Sequence, residues 1–492
     1  MPDTSPLPEP TLPLTSPVLC VDLDGTLIRT DLLLESLLAL LRHNPLYAFY
    51  LPFWLLQGKA AFKAAIAKRV VTHGLVPNPT TLPYHETFLR WLREQRAAGR
   101  SMWLCTASHH ALVQPIADTL GLFDGVAATE DSLNLSGTRK AERLVALFGE
   151  KNFDYCGNAP VDLHVWAKAH GAVVVASSRL VNALKIQAPD TPLLAHFDAQ
   201  PPRFTVWLRA LRLHQWAKNS LLWVPLLAAH QFKETALLTD MLLAFVAFGL
   251  AASSVYVLND LLDLASDRQH PRKSARPFAS GQISLSSGLL LVPCLLGLAL
   301  GIAMVLPPAF LWVLSGYYLL TLMYSFDLKR RVLVDVLTLA ALYTLRLVAG
   351  AAAVGVPLSF WLLLFSLFLF LSLALVKRYA ELHALRAEGT LTAAGRGYHT
   401  QDLPVLQSLG AASGYLSVLV LALYINSSEI RALYTQPEWI WALCGLMLFW
   451  VSRVWMLAHR GDMHDDPVVF ALRDRSSLVI GGLAGLAIWL AI

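Results

Sequence analysis

The chain has 492 residues, of which 55% are hydrophobic and only 15% are charged, a balance that excludes an ordinary soluble protein of this size. The net charge of +5 is modest, the bases cluster beside apolar runs, and basic–aromatic arrays are lacking, so no nucleic-acid partner is expected. The five cysteines are scattered without a CxxC pair, which excludes a disulfide framework and a zinc site and indicates a reducing compartment.

The chain divides by composition into a leader, a soluble domain and a membrane domain. Residues 1–17 contain six prolines and no basic apolar signal, so they predict a disordered leader rather than an export peptide. Residues 18–195 mix charge and hydrophobicity as a globular domain does, whereas long apolar runs dominate residues 219–492. Between them, residues 196–218 predict a linker that ends in an interfacial helix.

The stretch VLCVDLDGTLIRTD, residues 18–31, begins as an apolar strand and ends in two carboxylates, Asp22 and Asp24. A carboxylate at the tip of a buried strand can attack phosphorus, and a second acid can protonate the leaving oxygen and then activate water. The stretch resembles the first motif of the haloacid dehalogenase superfamily. The resemblance implies a Rossmann-like α/β hydrolase with a helical cap over about residues 30–98, and Mg²⁺ held in part by the two aspartates.

Three later segments are similar to the other motifs of that superfamily. MWLCTAS supplies Thr106 as the phosphate-binding hydroxyl, GTRKAE supplies Lys140 to offset phosphoryl charge, and FDYCGNAPVDL supplies Asp162 as a metal ligand. The family usually has an acid where this chain has Asn158, whose amide oxygen can ligate Mg²⁺ but carries no charge. Two interpretations stay open: an active phosphatase with weaker metal binding, or a reduced, regulatory domain.

Residues 44–63 of the cap, NPLYAFYLPFWLLQGKAAFK, are unusually apolar for a soluble domain. The run is short for a membrane span, and Pro45 and Pro52 interrupt it. We therefore expect an apolar surface that docks on the bilayer or on the membrane domain.

Apolar runs in the second half predict an all-α, multi-pass membrane domain of about nine helices, since a spanning helix needs roughly 20 apolar residues. Four of the loops carry 15 lysines and arginines, whereas the alternate loops carry two. By the positive-inside rule the charged loops and the N-terminal domain face the cytoplasm, which indicates the inner, cytoplasmic membrane. The predicted spans are 219–232, 240–258, 287–305, 308–324, 334–353, 358–376, 409–426, 437–457 and 476–492.

The loop after the second predicted span, NDLLDLASDRQHPRKSARP, carries acids and bases at the membrane edge. Asn259, Asp263 and Asp267 are spaced i, i+4, i+8, which places three oxygen-bearing side chains on one helical face, with Asp260 pointing elsewhere. Such hard ligands suit Mg²⁺, which commonly bridges to substrate phosphates. The alternative is a solvated loop whose charges pair with one another.

This N-D-x-x-D-x-x-x-D pattern resembles the first aspartate-rich motif of the UbiA superfamily of intramembrane prenyltransferases, and the resemblance covers roughly residues 205–492. It implies nine helices around a lipid-accessible cavity. Aromatic prenyltransferases of the superfamily use a second acidic motif, but the matching position here reads LVKRYAEL, with Glu381 as its only acid beside Lys377 and Arg378. The position therefore suits a direct anion clamp better than a second metal clamp.

Five further segments together resemble the decaprenyl-phosphate phosphoribosyltransferase branch of that superfamily. They are YSFDLKRRVLVDV, YTLRLVAG, KRYAEL, RGYHTQDL and ALRDR. The resemblance implies transfer of phosphoribose from phosphoribosyl pyrophosphate to a polyprenyl phosphate. One Mg²⁺ would then hold the pyrophosphate, and basic groups would hold the other phosphates.

The resemblance and the charges together assign roles to candidate residues. Asp335 and Glu381 are expected to steady the ribose or its developing cation. Arg346 lies within an apolar span, where an arginine normally faces a cavity, and its alternative is a structural ion pair with Asp335 or Asp327. Tyr324 is either a phosphate ligand or an interface anchor. The predicted substrate-binding residues of the membrane domain are Lys218, Lys273, Arg276, Tyr324, Lys329, Arg346, Lys377 and Arg378.

The fusion predicts two consecutive reactions: the membrane domain makes a polyprenyl-phosphoryl phosphoribose, and the soluble domain removes its 5-phosphate. Two alternatives stay open. One is a prenyltransferase that moves a prenyl group from a prenyl diphosphate to an aromatic acceptor, and the other is a non-enzymatic transporter or scaffold with a phosphate-sensing domain. The sequence leaves the lipid chain length and the oligomeric state open.

Overall fold

The structure is a computed structural model that describes residues 16–130, 134–198, 201–231, 233–391, 396–427, 434–463 and 466–492. Almost all of the predicted leader lies outside the described residues. The chain forms two compact units. The first unit contains the chain up to Ala210 together with Val257–Leu290, and the second contains Leu211–Tyr256 and Leu291–Ile492.

The first unit is built on a six-stranded sheet in which every neighbouring pair of strands is parallel. The strand order β3-β2-β1-β4-β5-β6 places the first strand in the middle. This doubly wound sheet confirms the predicted α/β fold. The strands are β1 (Val18–Val21), β2 (Met102–His109), β3 (Gly125–Thr129), β4 (Phe153–Gly157), β5 (Gly171–Val174) and β6 (Leu193–His196).

Two apolar cores lie on the two faces of this sheet. Along β1, Leu19 and Val21 belong to one core and Cys20 belongs to the other, as the alternation of side chains along a strand requires. Burial on both faces explains why β1 reads as a continuous apolar run.

Nine helices connect or follow these strands, and four of them form the predicted cap between β1 and β2. The first cap helix begins after Asp31, whose side chain accepts a hydrogen bond from Leu34 N and caps the helix. The helices are α1 (Leu32–His43), α2 (Leu51–Leu56), α3 (Lys59–Thr72), α4 (Glu86–Ala97), α5 (His110–Leu120), α6 (Thr138–Phe148), α7 (Leu163–Trp166), α8 (Ser178–Gln187) and α9 (Phe204–Ala210).

The cap exposes the apolar stretch singled out in the sequence. Phe49 is 81% exposed and Leu56 is 86% exposed, and Phe53 is also exposed. An exposed apolar patch of this kind marks an interaction surface. Its docking on a bilayer stays a prediction.

The rest of the chain is helical, and seven of the described helices are long and apolar enough to cross a membrane, by length and composition. The protein is therefore a multi-pass membrane protein. The remaining helices are α10 (Val224–Ala228), α11 (Thr235–Leu262), α12 (Leu264–Gln269), α13 (Leu285–Ala303), α14 (Pro308–Phe326), α15 (Val334–Val354), α16 (Phe360–Ala387), α17 (Leu403–Ile425), α18 (Ala442–Arg460), α19 (Pro467–Ala471) and α20 (Arg475–Ala491).

Two of the nine predicted spans do not correspond to any of the seven described helices that are long enough to cross a membrane. The first, residues 219–232, is divided between a 3₁₀ helix at Leu213–Trp223 and the five-residue α10, which has Pro225 in its first turn. The last corresponds to α20, which has 17 residues. The number nine stays a prediction.

Candidate active sites

The predicted phosphatase residues meet at the carboxyl ends of the strands. Asp22 follows β1, Thr106 lies in β2 and Asn158 follows β4. Because β1 pairs in parallel with both β2 and β4, these neighbouring strands deliver the three side chains to one edge of the sheet. Lys140, in the first turn of α6, donates a hydrogen bond from Nζ to Asp22 Oδ1 at 2.9 Å.

Burial sets the proton affinities of the two aspartates of the first motif. Removal from water is the main cause that raises the pKa of Asp22 to about 6 and the pKa of Asp24 to about 7. The charge of Lys140 opposes the rise at Asp22, whereas the charge of Asp31 adds to the rise at Asp24. This order suits a nucleophile that ionises first and a general acid that keeps its proton.

Asp24 is held by a hydroxyl that the motifs did not predict. Ser108 Oγ donates a hydrogen bond to Asp24 Oδ2 at 2.6 Å, and Thr106 Oγ1 donates to the same oxygen at 3.4 Å. The backbone N–H of Leu32 donates to Asp24 Oδ1 at 2.7 Å. Residues two apart on a strand share a face, and this spacing is the signal by which Ser108 is predictable from Thr106.

The cap contributes a cation near this site, Lys63 of α3. Its Nζ donates hydrogen bonds to the Ala107 carbonyl at 2.6 Å and to Asn134 Oδ1 at 2.7 Å. Burial lowers the pKa of Lys63, while the charges of Asp24 and Asp31 act in the opposite direction. The sequence signal for this residue is a lysine within the apolar stretch AAFKAA.

The side chain of Asn158 packs against the loop that follows β1, which contains Gly25 and Thr26. Thr26 Oγ1 donates a hydrogen bond to Asn158 Oδ1 at 3.1 Å. A Cβ atom on Gly25 would lie 2.1 Å from Asn158 Nδ2, and Gly25 has a φ of +75°. Glycine is required at this position both by the left-handed backbone and by the close approach of the amide.

Asp162 holds the turn that carries Asn158. Its Oδ2 accepts hydrogen bonds from the backbone N–H groups of Asn158 and Ala159, each at 3.0 Å, and its Oδ1 accepts one from Tyr155 Oη at 3.1 Å. Both carboxylate oxygens are thus used to shape the turn. The predicted role of Asp162 as a direct metal ligand stays a prediction.

The oxygen donors at this edge of the sheet suit Mg²⁺. They carry one negative charge fewer than the haloacid dehalogenase pattern. The first motif supplies the carboxylates of Asp22 and Asp24, and the amide of Asn158 lies against Gly25 and Thr26 of the same loop; hard oxygen donors of this kind are the ligands that Mg²⁺ prefers. The amide in place of an acid removes one negative charge. We therefore expect weaker cation binding rather than none.

The second predicted site, the acidic segment after α11, belongs to the first compact unit. Helix α11 ends at Leu262 and α12 begins at Leu264, with Asp263 between them at φ −94° and ψ 9°. Asp263 pairs with Arg42 of α1 at 3.0 Å. The backbone nevertheless keeps helical spacing through Asp263, because Asp263 N donates to the Asn259 carbonyl at 2.9 Å and Asp267 N donates to the Asp263 carbonyl at 2.8 Å. The stripe of Asn259, Asp263 and Asp267 stays a prediction.

Asp260 and Asp267 converge on one cation, Arg276. Its Nη1 lies 3.1 Å from Asp260 and 2.6 Å from Asp267, and both carboxylates are buried. This corrects the expectation that Asp260 points elsewhere, because residues seven apart return to the same face after two helical turns. These carboxylate oxygens are of the kind that Mg²⁺ prefers, with Asp260 added to the predicted ligands, but Arg276 pairs with them here, and no group of three or more His, Cys, Asp or Glu side chains in the described part of the chain is placed to hold a metal ion.

Burial raises the pKa of Asp267, and the charge and hydrogen bond of Arg276 oppose that rise. Arg276, which we predicted to bind phosphate, is thus engaged by acids in this structure. The other predicted phosphate ligand of the segment, Lys273, is exposed.

The second unit contains a cluster of side chains of the kind that bind phosphate, which we call the basic cradle: Lys218, Tyr343 and Lys377. All three bind the carboxylate of Asp466. Lys218 Nζ and Lys377 Nζ lie 2.9 and 2.8 Å from its Oδ2, and Tyr343 Oη donates a hydrogen bond to its Oδ1 at 3.1 Å. Asp466 is not among the predicted site residues; its sequence signal is an acid directly before Pro467, the position that caps α19.

In the basic cradle, neighbouring charges strongly affect the pKa values of Asp466 and Lys218. Burial acts to raise the pKa of Asp466, but Lys377 and Lys218 outweigh it and hold that pKa well below its usual range. Burial, with the neighbouring charge of Lys377, lowers the pKa of Lys218 to about 8, although Asp466 opposes the shift. At neutral pH Lys218 and the Asp466 carboxylate are therefore ionised.

Arg346 is buried beside the basic cradle, but it is not in the predicted ion pair. Its guanidinium donates hydrogen bonds to Asn219 Oδ1 at 3.3 Å and Tyr317 Oη at 3.1 Å, and it lies 5.3 Å from the centre of the Tyr343 ring. Asn219 is buried, and among the described residues its Nδ2 has no hydrogen-bond partner. A buried amide donor without a partner points to a polar ligand.

The acids proposed as alternatives for Arg346 pair with other arginines. Asp327 lies 2.7 Å from Arg331, and Asp335 lies 2.8 Å from Arg378. The ion-pair alternative for Arg346 is therefore wrong for both acids.

Asp335 and Glu381 belong to one network around Arg378. Arg378 and Asp335 are fully buried, and Tyr398 Oη also donates a hydrogen bond to Asp335. Arg378 pairs in addition with Glu381, which Arg396 contacts at 3.1 Å. Glu381 keeps 38% of its side chain exposed, so it is the more accessible of the two predicted catalytic acids. Tyr324, at the end of α14, and Lys329, just after that helix, are both half-buried.

An apolar cavity opens among the helices of the second unit. Its lining comes from α16, α17, α18, α19 and α20 and is almost entirely aliphatic or aromatic. A cavity with such walls suits a hydrocarbon chain. The lining includes Phe365, Leu369, Leu421, Met447, Trp450 and Ile480.

Comparison with known families agrees with both parts of this architecture. The model of the UbiA prenyltransferase family matches residues 220–478, more than half of the chain, and the model of haloacid dehalogenase-like hydrolases matches residues 19–167. The chain belongs to the UbiA prenyltransferase family and carries a haloacid dehalogenase-like domain at its N-terminal side. It is thus an enzyme of the intramembrane transferase class.

Three curated relatives are similar to the chain. Uncharacterized protein y4nM of Sinorhizobium fredii is 38% identical over 96% of this chain and 91% of its own length. Nodulation protein NoeC of Azorhizobium caulinodans is 38% identical over 58% of this chain and 92% of its own. The decaprenyl-phosphate phosphoribosyltransferase of Mycobacterium tuberculosis is 34% identical over 56% of this chain and 91% of its own.

Proposed function

We propose that the membrane domain transfers phosphoribose from phosphoribosyl pyrophosphate to a polyprenyl phosphate. The basic cradle carries this proposal, because Lys218, Tyr343 and Lys377 converge within 3.1 Å of one carboxylate. Lys218 is buried and requires an anion, since an uncompensated buried charge costs several kcal/mol, whereas the Lys377 side chain is 38% exposed. Asp466 acts as that anion until a substrate phosphate takes its place.

The number and positions of the acidic and basic residues also favour a phosphoribosyl donor and a lipid phosphate as substrates. A prenyl diphosphate held between two metal clamps needs acids at the sixth span, where Glu381 is already engaged by Arg378 and Arg396. A donor with a pyrophosphate and a separate 5-phosphate, together with a lipid phosphate, needs one metal site and several bases. A relative that shares 34% identity is named a decaprenyl-phosphate phosphoribosyltransferase, in agreement with this requirement.

The acidic segment would hold Mg²⁺ through Asn259, Asp263 and Asp267, with Asp260 beside them. When bound, the metal would neutralise the pyrophosphate leaving group. Arg276, released from its acids, is then available to a phosphate. The other phosphate ligands in this proposal are Lys218, Lys273, Tyr324, Lys329, Arg346, Lys377 and Arg378.

In the transfer step, an oxygen of the lipid phosphate bonds to C1 of ribose while the bond from C1 to the pyrophosphate oxygen breaks. The bonding electron pair leaves with pyrophosphate. The lipid phosphate is already an anion, so a strong general base is unnecessary. Glu381 steadies the ribose or its developing positive charge, and Asp335 orients Arg378.

The N-terminal domain removes the 5-phosphate of the product in this proposal. Asp22 attacks phosphorus, and the ribose oxygen leaves with a proton from Asp24. Asp24 then takes a proton from water, which attacks the aspartyl phosphate and releases inorganic phosphate. Thr106 and Lys140 hold the phosphoryl oxygens. The proposal places this domain on the cytoplasmic side of the inner membrane.

The test is an incubation of purified full-length protein with phosphoribosyl pyrophosphate labelled in the ribose and a polyprenyl phosphate in Mg²⁺. We expect a lipid-linked ribose without 5-phosphate from the wild type and a lipid-linked phosphoribose from Asp22→Asn. The same product from both proteins would refute the second reaction. Absence of any lipid-linked label would refute the first.

A further inference from the structure

The acidic segment of the transferase packs in one compact unit with the haloacid dehalogenase-like domain. Val257–Leu290 clusters with the chain up to Ala210. At the centre of this packing, Arg268 forms two hydrogen bonds to Glu35 of α1, at 2.8 and 2.5 Å. Only 6% of the Arg268 side chain and 5% of the Glu35 side chain are exposed. A two-pronged, buried pair of this kind fixes both orientation and distance.

Both partners of this pair are held by further groups. Thr30 Oγ1 donates a hydrogen bond to Glu35 Oε1 at 2.6 Å, and Arg268 Nε donates one to the Ala279 carbonyl at 2.8 Å. Arg268 directly follows Asp267 in the chain. Because Glu35 and Ala279 engage its guanidinium, Arg268 is kept from pairing with the acids beside it.

Two other contacts join the same elements. Arg42, near the end of α1, donates hydrogen bonds to the Leu262 carbonyl at 3.1 Å and to Ser266 Oγ at 3.3 Å, on both sides of Asp263. Gly281, with φ +70°, packs so closely that a Cβ atom there would lie 2.8 Å from the Arg29 carbonyl oxygen. The acidic segment is thus fixed to the N-terminal domain at three separate points.

We propose that Glu35 is a positioning residue for the metal site of the transferase, supplied by the phosphatase-like domain. Through Arg268 it fixes the orientation of α12, the helix that carries Asp267, and keeps the Arg268 guanidinium away from that carboxylate. The proposal rests on the proposed function, in which this segment binds the metal. Helix α1 also begins at the phosphatase site, where Leu32 N donates to Asp24 at 2.7 Å, so one helix of about 18 Å contacts the acids of both reactions.

The test measures cation binding directly, with Mn²⁺ and electron paramagnetic resonance on the full chain. An Asp22→Asn/Asp24→Asn background removes carboxylates of the phosphatase site. Glu35→Gln is expected to raise the Mn²⁺ dissociation constant of the remaining site about tenfold, the usual cost of removing a group that orients metal ligands. The charge-conserving variant Glu35→Asp is expected to keep the Mn²⁺ dissociation constant closer to the wild-type value than Glu35→Gln does.

Two variants separate positioning from a general effect on folding. Glu150→Gln breaks an exposed ion pair with Lys168 in the same domain and should leave the Mn²⁺ affinity unchanged. Gly281→Ala disturbs a different contact and should weaken Mn²⁺ binding in the same direction as Glu35→Gln. Unchanged Mn²⁺ affinity in Glu35→Gln would overturn the proposal.

Transfer assays on the same variants, in the native background, add a second readout. The Mg²⁺ concentration for half-maximal transfer should rise in Glu35→Gln in parallel with the Mn²⁺ dissociation constant, while hydrolysis of p-nitrophenyl phosphate stays within about twofold. If the wild type shows no transfer while Mn²⁺ affinity still depends on Glu35, the proposed function fails and the positioning role stands.

Discussion

The phosphatase site and the basic cradle are assembled in different ways. In the phosphatase site, Asp22, Thr106 and Asn158 come from neighbouring parallel strands, whose register brings their ends together. In the basic cradle, Lys218 and Asp466 are 248 residues apart, and their contact depends on the packing of several helices. A local motif therefore predicts the first site, whereas the second is visible only in three dimensions.

The difference also concerns charge. The phosphatase site holds two acids whose pKa values burial raises, with Lys140 as a nearby counter-charge. The basic cradle reverses this arrangement, because two lysines surround one acid whose pKa they depress. The charges of the first site therefore suit the proton transfers proposed for it, and those of the second suit the proposed binding of an anion.

The largest effect is expected from Asp22→Asn. The amide cannot attack phosphorus, so hydrolysis of p-nitrophenyl phosphate should fall at least about 10³-fold. Lipid-linked transfer should continue, because Asp22 takes no part in it. Parallel assays of both reactions check this, and loss of both would contradict the separation of the two sites.

In the basic cradle, Lys218→Met should lower transfer about 100-fold, since it removes one charge that stabilises the bound phosphate. Phosphatase turnover should not change. Arg331→Met is the matched control, because its pair with Asp327 at 2.7 Å is mostly exposed and contributes less than about 1 kcal/mol to stability. Equal losses in both variants would argue against a specific anion site.

The pH dependence of the phosphatase should show a maximum between pH 6 and pH 7. Below about 6, Asp22 gains a proton and loses its nucleophilic form; above about 7, Asp24 loses the proton that it must donate. Each limb should approach a tenfold change per pH unit. The check is kcat/KM for p-nitrophenyl phosphate from pH 4.5 to pH 9.

A smaller, selective shift is expected in Lys140→Gln. Because Lys140 lowers the pKa of Asp22, its removal should move the acidic limb to higher pH and leave the basic limb in place. The same pH series measures this shift. Movement of both limbs would show that Lys140 does not act on Asp22 alone.

Much of the architecture follows from sequence, because the features concerned are local. An apolar run that ends in Asp22 predicts a strand tip, and apolar runs of about 20 residues predict spanning helices. The predicted stripe of Asn259, Asp263 and Asp267 assumed one continuous helix. In the structure Asp260 also lies beside Asp267, since residues seven apart return to one helical face, and both acids pair with Arg276.

The features that sequence could not supply depend on distant partners. Asp466 has a local signal as a helix cap, but nothing near it in sequence indicates Lys218 or Lys377. The pairing of Arg268 with Glu35 joins residues 233 apart and could be recognised only from the fold. Likewise, the depth at which Asp335 is buried follows from the packing of Arg378 and Tyr398 around it.

The most direct test of the central claim is a choice between donors. Purified wild-type protein in Mg²⁺ is given either phosphoribosyl pyrophosphate with a polyprenyl phosphate, or a prenyl diphosphate with an aromatic acid, and product is measured after each incubation. The base-rich transferase site predicts turnover with the first pair, its loss on chelation, and no product with the second. Turnover with the prenyl diphosphate alone would contradict the assignment of the basic cradle to a phosphoribosyl transfer.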